Sequence, residues 1–471
     1  MKHMKTEVAV IGAGTAGLAA YRAAVQAGRR ALIIEGGTHG TTCARVGCMP
    51  SKLLIAAAEA AHVALRWNEF GIRLDGNIAI DGKAVMARVR RERDRFVGFV
   101  LEGVAKIPAP DRVQGHARFV GDRTLQVDDA LLVDFERAVI ATGSSPAIPA
   151  LLRLAGDRLI VNDQVFDWRD LPRAVAVFGP GVIGLEIGQA LHRLGVRVRL
   201  FGRGNGVGPL SDPQVRDYAT RALQDELCFE PDAQVRHIER TGDGVSIGWH
   251  RDGSTVSETF DYLIAATGRG PNVRGLGLEH TALALARNGV PLFDRTTLQC
   301  GTSSVFIAGD VNDDLPLLHE AADEGRIAGE NAASYPHVRP ALRRTPLGIV
   351  FCDPQIATLG RRYADLVPGT YVTGAASFED QGRSRVMLRN KGLLHVYAEA
   401  ASGRILGAEM MGPDAEHLAH LLAWAIQGNL TVTEALERPF YHPVVEEGLR
   451  TALRDAAAKL ETARVRVQRA A

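Results

Sequence analysis

Short apolar runs alternate along this chain with longer stretches in which small and apolar residues recur every third or fourth position. That alternation predicts strands interleaved with helices, the pattern of an α/β protein built on parallel sheets. The stretch VAVIGAGTAGLAAYRAAVQAGRRALIIEGG (8–37) predicts a strand, a glycine turn, an Ala-rich helix and a second strand ending at Glu35. AVAVFGPGVIGLEIGQALHRLGVRVRLFGR (174–203) repeats the design. Two further apolar strands, RAVIATGSSP (137–146) and YLIAATGRGP (262–271), both end in Ala-Thr-Gly before a proline. SSVFIAGDVNDDLPLLHEAADEGRIAGENAA (303–333) predicts a strand ending at Gly309-Asp310, a loop and a helix. From about residue 345 the pattern changes, with strands at HVYAEA and ILGAEMMG followed by helices.

The glycines give the repeated unit its chemistry. Gly12-x-Gly14-x-x-Gly17 follows a strand and opens a helix, with an acid 23 residues after Gly12. In that context Gly12 permits the tight turn and Gly14 lets the backbone approach a pyrophosphate. Gly17 lets the helix pack closely on its strand, and Glu35 is placed to accept hydrogen bonds from a ribose. The second copy carries Gly179, Gly181 and Gly184, but 23 residues on it has Gly202, followed at once by Arg203. A cation there accommodates a 2′-phosphate, so this copy leans towards NADP. Thr142 and Gly143, with Gly268 in the second ATG, stand at strand ends where backbone approaches a cofactor.

Composition narrows the class without changing it. The 471 residues are too many for one ordinary core, and 46% hydrophobic with 23% charged is typical of globular chains. A net charge of +1 with no long single-sign run gives no electrostatic case for nucleic acid or membrane binding. No apolar run reads as approaching the ~20 residues of a membrane span, and no cleavable secretory pattern is visible, so a cytoplasmic protein is expected.

Five cysteines do not make a disulfide scaffold. Two of them, Cys43 and Cys48 in GTTCARVGCMPSK, have four residues between them. Over five positions a regular helix rises ~7.5 Å, whereas disulfide Cα atoms usually stand within ~6.8 Å. Bonding the pair therefore needs an irregular turn, which Gly47 makes feasible. MPSKLLIAAAEAAHVAL reads as a helix with Pro50 in its first turn, and it puts Cys48 at the N-terminus. There the helix dipole and nearby Lys52 favour a thiolate, so the pair reads as redox-active and easily reduced. A zinc site would need a second ligand pair, and Cys228, Cys300 and Cys352 are scattered. Those three read as small core residues, and no metal is expected.

Two dinucleotide fingerprints, C-x4-C-x-P-S-K and the paired ATG strands resemble the pyridine nucleotide–disulfide oxidoreductases from end to end. Within that family the motifs look most like the dihydrolipoamide dehydrogenase branch, with CARVGC for the usual CVNVGC, so that Arg45 replaces Asn. The resemblance implies two Rossmann-like domains, for FAD and NAD(P), plus an α+β dimerisation domain. Residues 1–150 and 273–344 would form the FAD-binding part, 151–272 the NAD(P) domain and 345–471 the interface. It implies one FAD per subunit on Gly12, Gly14, Gly17 and Glu35, contacted by the backbone of Ala117 in GHARF and by Asp310 at the ribityl chain. NAD or NADP would be the diffusible co-substrate. Cys48 would face the flavin and Cys43 would exchange with substrate. Lys52 and Glu186 would form an ion pair beside the flavin's reactive nitrogen. His442-Pro443 with Glu447 matches the family's HPxxxE acid–base motif, Glu446 being the competing carboxylate, and the histidine would act on the partner subunit of a homodimer. A neutral-pKa base oriented by a carboxylate is what deprotonating an incoming dithiol requires.

The expected reaction is oxidation of dihydrolipoamide, free or on a lipoyl domain, with electrons passing through Cys43–Cys48 and FAD to NAD(P)⁺. A 2-oxo acid dehydrogenase complex is a candidate assembly. Glutathione reductase-like chemistry is the nearest rival, favoured by Arg203 and GHARF and opposed by PSK where PKK is usual. A mercuric reductase is expected to carry a cysteine pair near its C-terminus, and ARVRVQRAA has none. A catalytically silent flavoprotein assembly subunit would have no need of a reducible pair. The tail, 463–471, is expected to fray.

Overall fold

Val8, Ala9, Val10 and Ile11 are all buried, so the second half of the strand Lys2–Ile11 has cover on both faces, as parallel strands do. In the computed structural model it pairs in parallel with Ala31–Glu35 and with Leu131–Ile140. Arg112–Gln114 and Val305–Ile307 extend the parallel set, and the antiparallel strands Thr124–Val127 and Ala117–Gly121 complete the sheet. The helices Thr15–Gln26 and Leu318–Ser334 lie backbone to backbone. A Cβ on Gly325 would stand 2.1 Å from the Ala16 carbonyl oxygen, and one on Gly329 2.4 Å from that of Ala20. This sheet and its helices make one compact unit, of residues 1–50, 88–147 and 268–343. The structure describes residues 2–470 apart from Leu74 and Asp252, with backbone alone from 464 to 470.

The second unit comprises 51–87, 148–267 and 344–471. Its parallel sheet runs Cys228–Glu230, Arg197–Phe201, Ala174–Phe178, Tyr262–Ala265, Leu159–Ile160. An antiparallel three-stranded sheet, Gln234–Thr241, Gly244–Arg251 and Ser254–Phe260, contributes Trp249 to the core of this part. The C-terminal segment forms a five-stranded antiparallel sheet, ordered Leu347–Val350, Gln355–Gly360, Ile405–Gly412, Leu393–Glu399, Tyr371–Ser377. Helices Ala415–Gln427 and Glu447–Ala470 cover it through Leu418, Leu422, Leu449 and Leu453. Gly374 admits the second helix, because a Cβ there would lie 2.1 Å from the Ala452 carbonyl oxygen. The α/β class with a separate α+β C-terminal part is therefore present.

Three expectations need adjustment. The stretch Thr42–Leu65 does reach the length and mean hydropathy of a membrane span. However, it is two helices, Thr42–Val46 and Cys48–Leu65, broken at Gly47 and carrying Lys52, Glu59 and His62. Cys228 is exposed, because its short strand lies at the sheet edge; Cys300 and Cys352 are buried as expected. The fraying expected at 463–471 falls largely on residues whose side chains lie outside those described, although the helix backbone runs to Ala470.

Candidate functional site

The two glycine turns have nearly the same backbone. Gly12 and Gly179 sit at φ +105° and +104°, and a Cβ on either would meet a strand-end carbonyl, that of Ala141 or Ala266, at 2.3 Å. Gly17 and Gly184 have no room for a Cβ beside the carbonyl oxygens of Gly12 and Gly179, at 1.8 and 1.9 Å. Each Ala-Thr-Gly strand end therefore shapes the turn beside it through its alanine carbonyl, a role that spacing alone did not reveal. By contrast Gly14 and Gly181 have no atom within 4 Å of a Cβ position. They cap the helices Thr15–Gln26 and Val182–Arg193 without any side-chain cap or acidic first-turn residue. Helix N-terminal amides facing open space are what a dinucleotide pyrophosphate occupies. Both cradles fit the groups that the motifs imply.

This geometry makes a separable prediction. Gly184→Ala must push the helix Val182–Arg193 off its strand while leaving the first turn untouched. Flavin content is expected to stay at the wild-type level, while NAD(P)H affinity, read by fluorescence titration, falls at least about tenfold, or ~1.4 kcal/mol. Loss of the flavin instead would reverse the assignment of the two cradles.

At the end of the first unit's second strand, Glu35 accepts backbone N–H groups from Ala13 and Gly37, both at 2.7 Å. Each carboxylate oxygen keeps a lone pair for a ribose hydroxyl. The His116 ring lies against Gly36 and the Gly115 N–H donates to the Glu35 carbonyl, which brings GHARF, with Ala117 opening its strand, beside this end. Asp310 accepts the Ser144 hydroxyl at 2.7 Å, and Ser144 in turn accepts Arg269 Nε at 2.8 Å. Thr142 and Asn272 exchange side-chain-to-backbone bonds of 2.8 and 2.9 Å, which fixes the chain just before Gly143. Gly143 and Gly268 adopt φ +69° and +104°, and that conformation is the reason for glycine there. Behind Asp310, buried Glu324 binds the Gly309 N–H, Asn312 and Arg343, each at 2.7 Å. Burial raises its carboxyl pKa against these donors. Glu320 and Glu324, two acids one turn apart on a buried helix face, were the sequence signal for this brace.

In the redox segment, the break at Gly47 separates the two helices, and Thr41 caps the first by accepting the Ala44 N–H at 3.3 Å. Thr41 does so at φ +60°, a conformation that costs a non-glycine residue roughly 1–3 kcal/mol. A Cβ on Gly47 would stand 3.2 Å from the Cys43 Cα, so the turn that gathers the cysteines is tight at glycine. Both cysteines are thiols here, and Cys43 is hydrogen-bonded to Cys48. That bond, followed by burial, pushes the Cys43 thiol up. Arg45 turns away to the Thr38 carbonyl at 3.3 Å, with its methylenes over Gly40.

Four residues beyond Cys48 on the same helix, Lys52 meets both oxygens of Glu186 at 2.8 Å. Glu186 also accepts the Ser51 hydroxyl at 3.2 Å and the Phe351 N–H at 3.1 Å. The Phe351 ring centroid lies 4.6 Å from the Lys52 ammonium. The carboxylate is therefore buried but satisfied, and the cation is held on two sides. Near the C-terminus, His442 Nδ1 lies 2.9 Å from Glu447, not Glu446, and the imidazole is 79% exposed. In the second cradle, Gly202 has no room for a side chain, since a Cβ would stand 2.5 Å from the Pro231 carbonyl oxygen. Arg203 beside it is exposed.

Comparison with known proteins places these features. The family model described as pyridine nucleotide-disulphide oxidoreductase matches residues 6–325, and that of its dimerisation domain matches 347–453. A mercuric reductase of Shigella flexneri is 32% identical, over 94% of this chain and 80% of its own. A dihydrolipoyl dehydrogenase of Geobacillus stearothermophilus is 29% identical, over 94% of each. Among solved structures, LpdA of Mycobacterium tuberculosis superposes with a TM-score of 0.81 at 24% identity, over 95% of this chain and 99% of its own, a likeness of fold.

Proposed function

The chain belongs to the pyridine nucleotide-disulphide oxidoreductases, and from that premise we propose that it oxidises a small dithiol, dihydrolipoamide, through Cys43 and Cys48. The family works with FAD and a nicotinamide dinucleotide, and its dimerisation domain supports a homodimer. In this reading 1–150 and 273–344 serve the flavin, 151–272 the nicotinamide dinucleotide and 345–471 the dimer. Bound FAD supplies the two-electron relay between thiols and nicotinamide.

The observation that carries the reading is the His442–Glu447 pair. Glu447 holds the Nδ1–H, which leaves Nε2 as the proton acceptor that thiol chemistry needs. His442 of the partner subunit takes the first substrate proton. The resulting thiolate attacks Cys43 Sγ of the oxidised pair, forming a mixed disulfide and releasing Cys48 as thiolate. The second substrate thiol attacks the substrate sulfur of that mixed disulfide, closing the substrate's own disulfide and freeing Cys43 as a thiol. The substrate loses two electrons and the cysteine pair gains them. Cys48 opens the helix Cys48–Leu65, whose N-terminus favours a thiolate there, and Glu186 fixes Lys52 one turn along that helix.

Mercuric reductases at 31–32% identity supply a second reading, reduction of mercuric ion. One preparation tested with dihydrolipoamide, oxidised glutathione and Hg(II), each with both nicotinamides, separates these. Dihydrolipoamide is expected to show the highest kcat/KM. NADP is expected to be preferred over NAD by at least about tenfold, because Gly202 leaves no place for a ribose-binding carboxylate and the exposed Arg203 follows it. Faster turnover of Hg(II) or glutathione overturns the substrate, and no turnover with any of the three favours the silent subunit.

A further inference from the structure

The carboxylate of Glu447 serves two cationic partners. One oxygen meets His442 Nδ1 at 2.9 Å and the other accepts Arg450 Nη2 at 2.6 Å. Glu447 is the first residue of the helix Glu447–Ala470, and Arg450 stands one turn further along it. The guanidinium also lies 5.9 Å from the ring centroid of Phe440, two residues before His442. Arg450 thus grips the 440–447 turn at both ends. We propose that Arg450 is a positioning residue which anchors Glu447 and shares its charge, so that His442 is less basic than a histidine facing that carboxylate alone.

The argument is electrostatic and geometric, and it rests on the reading of His442 as the proton acceptor. A carboxylate within hydrogen-bond distance favours the imidazolium form, and a nearby cation disfavours it. A base works best when its pKa lies near the operating pH, because an imidazole already protonated cannot take a proton from the substrate. Glu447 and Arg450 thus act on the imidazole in opposite senses. Other charged groups lie around the turn: Glu446 beside the pair in sequence, and Glu434, Glu437 and Arg438 on and just after the helix Val432–Leu436, which packs on Glu447–Ala470. Gln381 donates to the Val444 carbonyl at 2.8 Å, and the Phe378 ring packs against Gly448. On the short helix Gly382–Val386, Arg385 closes on Asp380, which precedes its Gln381 cap, at 3.1 Å. Glu446 and Tyr441 flank the pair in sequence. The Glu447 carboxyl itself is held below its usual range: burial raises it, but the hydrogen bond to His442 and the charges of His442 and Arg450 outweigh that.

The test reads the histidine directly, in the FAD-loaded full-length dimer labelled at histidine Cε1, with His442 assigned by its loss in His442→Gln. Arg450→Gln keeps a donor for Glu447 and removes the charge. It is expected to raise the His442 pKa by about one unit, and to move the acid limb of the dithiol kcat/KM profile upward by the same amount. The rate at high pH should then return to the wild-type level. Arg450→Lys is expected to restore both to near the wild-type values. An unchanged or lowered pKa in Arg450→Gln overturns the proposal, as does an equal rise in Arg450→Lys. If the titration shifts as expected while the wild type turns over no dithiol, the assignment of Arg450 stands and only the functional reading falls.

Discussion

Cys48→Ser is expected to lower dithiol oxidation by more than about 10³-fold while the protein still binds one FAD per subunit. The two outcomes separate because different residues carry them. In the proposed reading the flavin cradle is made by Gly12, Gly14, Gly17 and Glu35 with Asp310 and its braces, and the sulfur chemistry by Cys43 and Cys48. Serine is nearly isosteric with the thiol and can still meet Cys43, so the tight turn at Gly47 has no reason to open. What it cannot do is form or break a sulfur–sulfur bond, and the electron path ends there. Transfer from NAD(P)H to an artificial acceptor such as ferricyanide should survive. Dithiol oxidation retained at even a tenth of the wild-type rate would remove the redox assignment of the pair.

His442→Gln is expected to cost about 10²–10⁴ in kcat/KM for dihydrolipoamide, the range of a lost general base. The glutamine amide can still donate to Glu447, so the turn at 440–447 should hold its shape, but it takes up no proton near neutrality. The acid limb of the pH profile should vanish with it, and flavin content should not change. A sharper result comes from combining the two variants in one dimer. If the histidine acts across the dimer, a Cys48→Ser/His442→Gln heterodimer has one site with both wild-type groups. Two inactive homodimers, exchanged at random, should then recover roughly one quarter of wild-type activity, half the dimers being mixed and each having one working site. No recovery would place the base within its own subunit. The 79% exposure of the imidazole in a single protomer agrees with a side chain that has a partner to meet.

Much of this site was legible in the chain because its parts are local. A glycine turn between strand and helix, a cysteine pair around Gly47 and an imidazole five residues before a carboxylate are each set by contiguous backbone. Spacing therefore announces them: the glycine conformations at 12 and 179 match, and His442 does meet Glu447. Charge and composition could be read for the same reason, since they need no fold to be counted. Mean hydropathy marks Thr42–Leu65 as long and apolar enough for a membrane span because it is blind to a break such as Gly47 and to a lysine paired with a distant glutamate.

Everything that depends on strand order had to come from the tertiary structure. The carbonyls of Ala141 and Ala266 press on Gly12 and Gly179 only because the strands beneath are neighbours in parallel register. Phe351 reaches Lys52 and Glu186 from far along the chain, and Arg343 closes on Glu324 behind Asp310. Buried charges need such partners, because a carboxylate taken from water is stable only where donors converge on it. Which donors converge is decided by how sheets and helices stack, and sequence spacing carries no record of that. The sequence determined the reacting groups and their cradles; the packing of the sheets decided what holds them in place.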